Sequence, residues 1–271
     1  MTIRRNTCTH QTGDTNMQVM PRNMPIDAVL FDLDGTLLHT SPDIGNALNR
    51  ALAENGFPLL APGVAQTLIG GGSEILVDRA LALLGVDARP STLDLVLRRY
   101  EASYQQICRD ENQLTGFYPG AEATLDSLRE MGLKLGLVTD SESRFVDPLM
   151  WRFGMQAWFD IVVDANVRLP RKPDPEPLLH ACEALGVDPT HTLFVGDCVT
   201  DALAAQAANM PMVCVSYGYS HNHPVSELPC LRVIHHISEL HDLIGGPHRW
   251  HGATHVDQGI PMRVTQAQQP N

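Results

Sequence analysis

The chain has 271 residues, of which 44% are hydrophobic and 18% charged, and its formal net charge is −12 at pH 7. That apolar content fills a sizeable core without covalent staples and excludes an intrinsically disordered chain. The acidic balance excludes nucleic acid and anionic lipid surfaces as natural partners, so any anionic ligand needs positive charge supplied locally.

The six cysteines, Cys8, Cys108, Cys182, Cys198, Cys214 and Cys230, show no C-x-x-C spacing. They read as isolated thiols in a reducing compartment, not as a disulfide framework or a thiolate zinc site. No apolar run reaches the roughly 18 residues of a membrane helix. The first 25 residues carry no apolar signal core. The expectation is a cytoplasmic protein, monomer or homodimer, with a disordered extension over 1–25 and a flexible tail over 246–271.

Taken in order, the chain alternates short apolar runs with helical patterns. The strand candidates are Ala28–Leu33, Lys134–Thr139, Phe159–Asp164, Thr192–Gly196 and Met212–Val215, each bounded by turn residues or acidic tips. In "PGAEATLDSLREMG", Leu125, Leu128 and Met131 keep helical spacing before Gly132. In "DPEPLLHACEALG", Asp174 caps, Pro175 suits the first turn, and Leu178, Cys182 and Leu185 form the apolar stripe. This alternation predicts an α/β fold: a Rossmann-like parallel sheet core with helices on both faces.

The alternation is interrupted after the first strand. From Ser41 to about Phe117 only helices are expected: "SPDIGNALNRALAENG" capped by Ser41, "SEILVDRALALLG" capped by Ser73 and stopped by Gly85, and "STLDLVLRRYEASYQQICRD". The segment reads as a small all-helical cap (41–117) over the carboxyl ends of the strands, with the core formed by 26–40 and 118–245.

The strand tips carry the chemistry. In "AVLFDLDGTLLHTSPD" the alternation of a strand puts Asp32 and Asp34 on one side, and Gly35 permits a sharp turn. A lone D-x-D-G reads equally as a plain turn. "LFVGDCVTD", however, places Asp197 and Asp201 after another strand, where a helix start would put both on one face. In a parallel sheet these carboxylates share one rim and repel one another unless a cation is present. Hard oxygen donors without converging Cys or His suit magnesium, and the histidines, found mostly in loops and tail, are assigned to no metal. Thr139 and Ser141 of "VTDSES" and Lys172 of "RKPDPEP" bring hydroxyls, backbone N–H groups and an ammonium to the same rim, a set that binds a phosphoryl group.

In that order, "DLDGT", "VTDS", "KPDP" and "GDCVTD" resemble the four motifs of the haloacid dehalogenase superfamily, over about Ile26 to Gly245. "KPDPEPLLHACEALGV" is most similar to its phosphoglycolate phosphatase branch. The resemblance implies a magnesium-dependent phosphatase acting on a small phosphorylated metabolite, with 2-phosphoglycolate the leading candidate. It implies Asp32 as the nucleophile that becomes an aspartyl-phosphate and Asp34 as general acid and then base. Thr139 and Lys172 would hold the phosphoryl group, with Asp140 and Ser141 beside it. The metal would lie on Asp32, the Asp34 carbonyl and Asp197, with Asp201 as ligand or support.

The superfamily's dehalogenases lack the second aspartate. Its phosphonatases need a cap lysine, and 41–117 contains none. The remaining alternatives are phosphatases of sugar phosphates or nucleotides, a β-phosphoglucomutase-like phosphomutase, and a non-catalytic scaffold. Three positions depart from the common pattern: Asp140 for Asn, Cys198 for Ser, and Asn209 for Gly. In the cap, "IGGGSE" offers backbone donors at Gly71 and Gly72 to an anion, or serves as a hinge or capping loop. Arg79 either meets a substrate carboxylate or is solvated.

Overall fold

The computed structural model describes residues 25–166, 168–220 and 223–244, and the backbone of 262–263. Strand β1 (Ala28–Phe31) is buried at every position and lies between β4 (Lys134–Val138) and β6 (Thr192–Gly196). The sheet continues outward through β7 (Met212–Val215) to β8 (Arg232–Ile234) on one side. On the other it runs through β5 (Ile161–Val163) to a two-residue strand, β9 (Met262–Arg263). Every pairing in it is parallel, which explains why the central strands are continuous apolar runs.

Strand alternation divides the core into two layers. Val29 and Phe31 pack with Leu125 and Leu128 of α4 (Ala121–Glu130) and Phe145 of α5 (Ser143–Arg152). Ala28 and Leu30 pack on the opposite face with Leu178 and Ala181 of α6 (Glu176–Leu185) and Ala202 of α7 (Val199–Ala207). Each fully buried Leu or Phe contributes about 1.5–3 kcal/mol. A short helix, α8 (Glu239–Ile244), follows β8.

The inserted segment holds α1 (Ser41–Glu54), α2 (Ser73–Leu83) and α3 (Pro90–Ile107). It is not wholly helical. Strand β2 (Leu38–His39) pairs antiparallel with β3 (Gly116–Phe117), so the two connections to the sheet are zipped together. Asp43 reinforces this junction, its Oδ2 accepting from the Leu114 and Thr115 backbone N–H groups and from the Thr115 hydroxyl at 2.7–2.8 Å.

The helix starts also differ from expectation. Ser41 and Ser73 fall inside their helices, and the cap positions are Thr40 and Gly72, neither making a side-chain capping bond. The hydroxyls are engaged elsewhere: Thr40 donates to Asp34 at 2.6 Å and Ser73 to Glu142 at 2.9 Å. Gly85 and Asn209 take the left-handed conformation, with φ of 66° and 53°. Strands β8 and β9 were not anticipated. The expectations for 1–25 and 246–271 otherwise lie outside the described residues, Pro25 apart.

Candidate active site

The carboxyl ends of β1, β4 and β6 form one rim, and a cavity of about 60 Å³ lies between that rim and the inserted helices. Asp32, the residue after β1, is 6% exposed. Its Oδ1 accepts from Lys172 Nζ at 2.6 Å. The same ammonium donates to Asp201 Oδ1 at 2.7 Å and to the Val138 carbonyl at 3.3 Å, so it is fixed at three points. Burial pushes the Asp32 carboxyl well above the usual range; Lys172 opposes that, and Asp201 and Asp197 add to it.

Asp34 lies two residues further on, past the strand end. Its two oxygens accept from Thr40 Oγ1 and Ser141 Oγ, both at 2.6 Å. Burial raises its pKa despite these bonds, so it holds a proton more readily than a free aspartate. Thr139 Oγ1 accepts from the Ser141 N–H at 3.2 Å, which leaves its own proton available to the cavity. Asp140 Oδ1 accepts from the Lys172 N–H at 3.2 Å and ties the two loops together.

Asp197 and Asp201 have different surroundings. Asp197 lines the cavity, is 2% exposed, and its Oδ2 accepts from the Tyr219 backbone N–H. Burial first, then the Asp201 charge, pushes its pKa well up. Asp201 does not line the cavity. Its Oδ2 accepts from the backbone N–H groups of Asp197 and Cys198, at 3.1 and 3.3 Å, while Oδ1 takes Lys172. Burial works to raise its pKa, but Lys172 and these bonds hold it below the usual value. Of the two roles expected for Asp201, ligand or support, its bonds to Lys172 and to the start of α7 are those of a support, and its ligand atoms also lie within 4.8 Å of those of Asp197 and Cys198.

The donor set fits a hard dication. Three buried carboxylates, Asp32, Asp197 and Asp201, face a single ammonium, and the excess negative charge is oxygen-borne. Cys198 Sγ lies within 4.8 Å of Asp197 and Asp201 ligand atoms but is no partner for such an ion. It contacts Asp201 at 3.1 Å and Thr200 at 3.0 Å, and burial holds it as a thiol.

Over the rim, Gly71 and Gly72 line the cavity together with Ser73. This loop is bound to the sheet side by Arg171, whose Nη1 donates to the Gly71 carbonyl at 2.9 Å and Nη2 to Glu142 at 3.2 Å. Gly72 has φ of 91°, and a Cβ there would stand 1.1 Å from Arg171 Nη1. Arg79 is not in the cavity. Its Nη1 donates to the Leu68 and Gly70 carbonyls at 2.9 and 3.0 Å, satisfying loop acceptors that have no helix to bond to. The expectation that it meets a substrate is corrected.

Sequence reasoning missed Thr40, Tyr219, Arg171 and the aromatic residues Tyr100, Tyr104 and Phe145. Two of these had a readable signal: Arg171 directly precedes Lys172, and Tyr219 follows β7 onto the same rim.

A family model described as haloacid dehalogenase-like hydrolase matches residues 26–209. The chain is 41% identical over 224 residues to a protein named phosphoglycolate phosphatase from Nitrosospira multiformis, covering 82% of this chain and 96% of that one. A phosphoglycolate phosphatase from Thiobacillus denitrificans is 37% identical over 217 residues, covering 80% and 94%. Among crystal structures, a predicted phosphoglycolate phosphatase from Haemophilus somnus matches with a TM-score of 0.74 at 27% identity, covering 80% of this chain and 97% of that one. With its four motif segments drawn to one rim and relatives matched over nearly their whole length, the chain belongs to the haloacid dehalogenase-like hydrolase family.

Proposed function

We propose that the protein is a magnesium-dependent phosphatase of small phosphate monoesters, with 2-phosphoglycolate its substrate. One observation carries the reaction: a buried carboxylate, Asp32, is held by Lys172 at a cavity floor, and a second carboxyl with a raised pKa, Asp34, lies two residues on. The names of the relatives carry the substrate.

An oxygen of Asp32 attacks phosphorus, forming an aspartyl-phosphate as the bond to the ester oxygen breaks. Asp34 gives its proton to the departing alkoxide, so a glycolate hydroxyl leaves and not an alkoxide. Asp34 then takes a proton from water, whose oxygen attacks the same phosphorus and returns Asp32 as a carboxylate with inorganic phosphate. Thr139 offers its hydroxyl to a phosphoryl oxygen, and Lys172 neutralises charge between nucleophile and phosphate. Asp201 keeps Lys172 in place. Asp32, Asp197 and the Asp34 carbonyl would hold magnesium, which offsets repulsion between carboxylate and phosphate. Cavity closure by the inserted helices keeps bulk water from the intermediate and disfavours macromolecular esters.

The test is phosphate release from 2-phosphoglycolate, sugar phosphates and nucleotides, with magnesium and with chelator. The expected result is metal-dependent release, fastest from 2-phosphoglycolate and abolished in Asp32→Asn. Release spread evenly over the panel overturns the substrate, and undiminished release by Asp32→Asn overturns the mechanism.

A further inference from the structure

The cavity has a second wall that phosphoryl transfer does not use. Ile44 of α1, Leu76 of α2, Tyr100 and Tyr104 of α3 and Phe145 of α5 form it. Both tyrosines are 2% exposed. Their rings stack at 5.8 Å with an interplanar angle of 17°, and Tyr104 packs on Phe145 at 4.8 Å. The stack fixes the Tyr100 ring.

The Tyr100 hydroxyl has no hydrogen-bond partner among the described residues. The hydroxyl is not among the fully buried atoms that lack a partner, so it keeps access to the cavity that its residue lines and is free to meet water or a ligand there. The nearby carboxylates are already engaged. Glu142 accepts from Ser73 at 2.9 Å and from Arg171 at 3.2 Å, and both Asp34 oxygens take hydroxyls. Burial, with Glu142 and Asp34 adding, pushes the phenol well above its usual pKa, so it remains a neutral donor. Among the described residues Lys172 is the one cation lining the cavity, and it is held by Asp32 and Asp201. No cationic side chain in the cavity, among the described residues, is left to read the end of a substrate distant from its phosphate. Arg171, paired with Glu142 at 3.2 Å, offsets part of that carboxylate's charge at this end of the cavity.

We propose that Tyr100 is the specificity residue of this site: its hydroxyl donates a hydrogen bond to an oxygen on the non-phosphate end of the ester. For 2-phosphoglycolate that oxygen belongs to the carboxylate. The inference rests on the phosphatase reading above. It makes the substrate class a compact phosphate monoester whose leaving group bears an acceptor oxygen, in preference to a bare alkyl phosphate.

Tyr100→Phe removes the hydroxyl and keeps the ring and its stacking. The comparison is kcat and KM of wild type and variant for 2-phosphoglycolate and for ethyl phosphate, which lacks the carboxylate. The expected result is a rise of about tenfold or more in KM for 2-phosphoglycolate with kcat nearly kept, because the bond is present before and during the reaction. Ethyl phosphate kinetics stay within about twofold, which also shows that the variant is folded. An equal loss on both esters overturns the proposal in favour of a packing role, and no change on either overturns it outright. If wild type ignores 2-phosphoglycolate, the substrate reading fails separately. The fastest ester of the panel then takes its place against ethyl phosphate and decides the role of Tyr100.

Discussion

Gly218 offers a sharp test of how Asp197 is placed. It precedes Tyr219 in the turn after β7, and a Cβ there would stand 2.3 Å from both Cβ and Oδ2 of Asp197. Ordinary contact begins at 3.4 Å, so the added methyl overlaps by about 1.1 Å. Asp197 cannot swing aside freely, being 2% exposed and bonded to the Tyr219 N–H. Gly218→Ala therefore moves the carboxylate by about 1 Å, a displacement that costs on the order of a hundredfold in rate. Overpacking costs roughly 1–3 kcal/mol of stability, which leaves the protein folded. The assay is phosphate release at fixed ester while magnesium is titrated, beside a thermal melt. Half-saturation should shift upward by about tenfold or more, the penalty typical of disturbed ligand placement. A folded variant with unchanged magnesium dependence would refute the placement of Asp197 at the metal.

Asp34→Asn should lower kcat/KM, which reports the transfer to Asp32, by about 10²–10⁴-fold for 2-phosphoglycolate, and the loss should shrink for p-nitrophenyl phosphate, whose leaving group needs no proton. Equal losses on both esters contradict the acid role. Arg171→Gln and Gly72→Ala each break the bond between loop and sheet side, and each should raise KM by roughly three- to tenfold. Because both act on one contact, the double variant should be no worse than the poorer single, and additive losses contradict the shared contact. Asp43→Ala strands three donors at the β2–β3 junction. It should cost about 3 kcal/mol in urea unfolding, and a loss within about 0.5 kcal/mol contradicts that bookkeeping.

Sheet and rim were legible because their physics is local. "AVLF" and "TLFVG" are continuous apolar runs, the pattern of strands buried on both faces. Once the strands are parallel, Asp32, Thr139 and Asp197 must share one edge. Strand β8, with the sequence RVI and an exposed Arg232, has no such pattern and takes its form from pairing with β7. The two-residue β2 and β3 likewise exist only through each other.

What the pattern could not reveal were contacts between loops distant in sequence. Ser41 N–H donates to the Tyr219 hydroxyl across 178 positions, and Arg171 reaches Gly71 across 100. Tyr100 and Tyr104 read as core residues of an amphipathic helix, which by burial they are. Only the cavity shows that this part of the core lines an open space beside the rim. Ser41 and Ser73 were misplaced as caps because propensity cannot register a competing acceptor, and Glu142 supplies one for Ser73.

The account stands or falls on covalent transfer to Asp32. The direct measurement is rapid acid quench during turnover of 2-phosphoglycolate, borohydride reduction of any acyl phosphate, and peptide mass spectrometry. Homoserine at position 32, absent in an unreacted control, is the predicted product. Full turnover with residue 32 unmodified, or reduction at another carboxylate, would contradict the account.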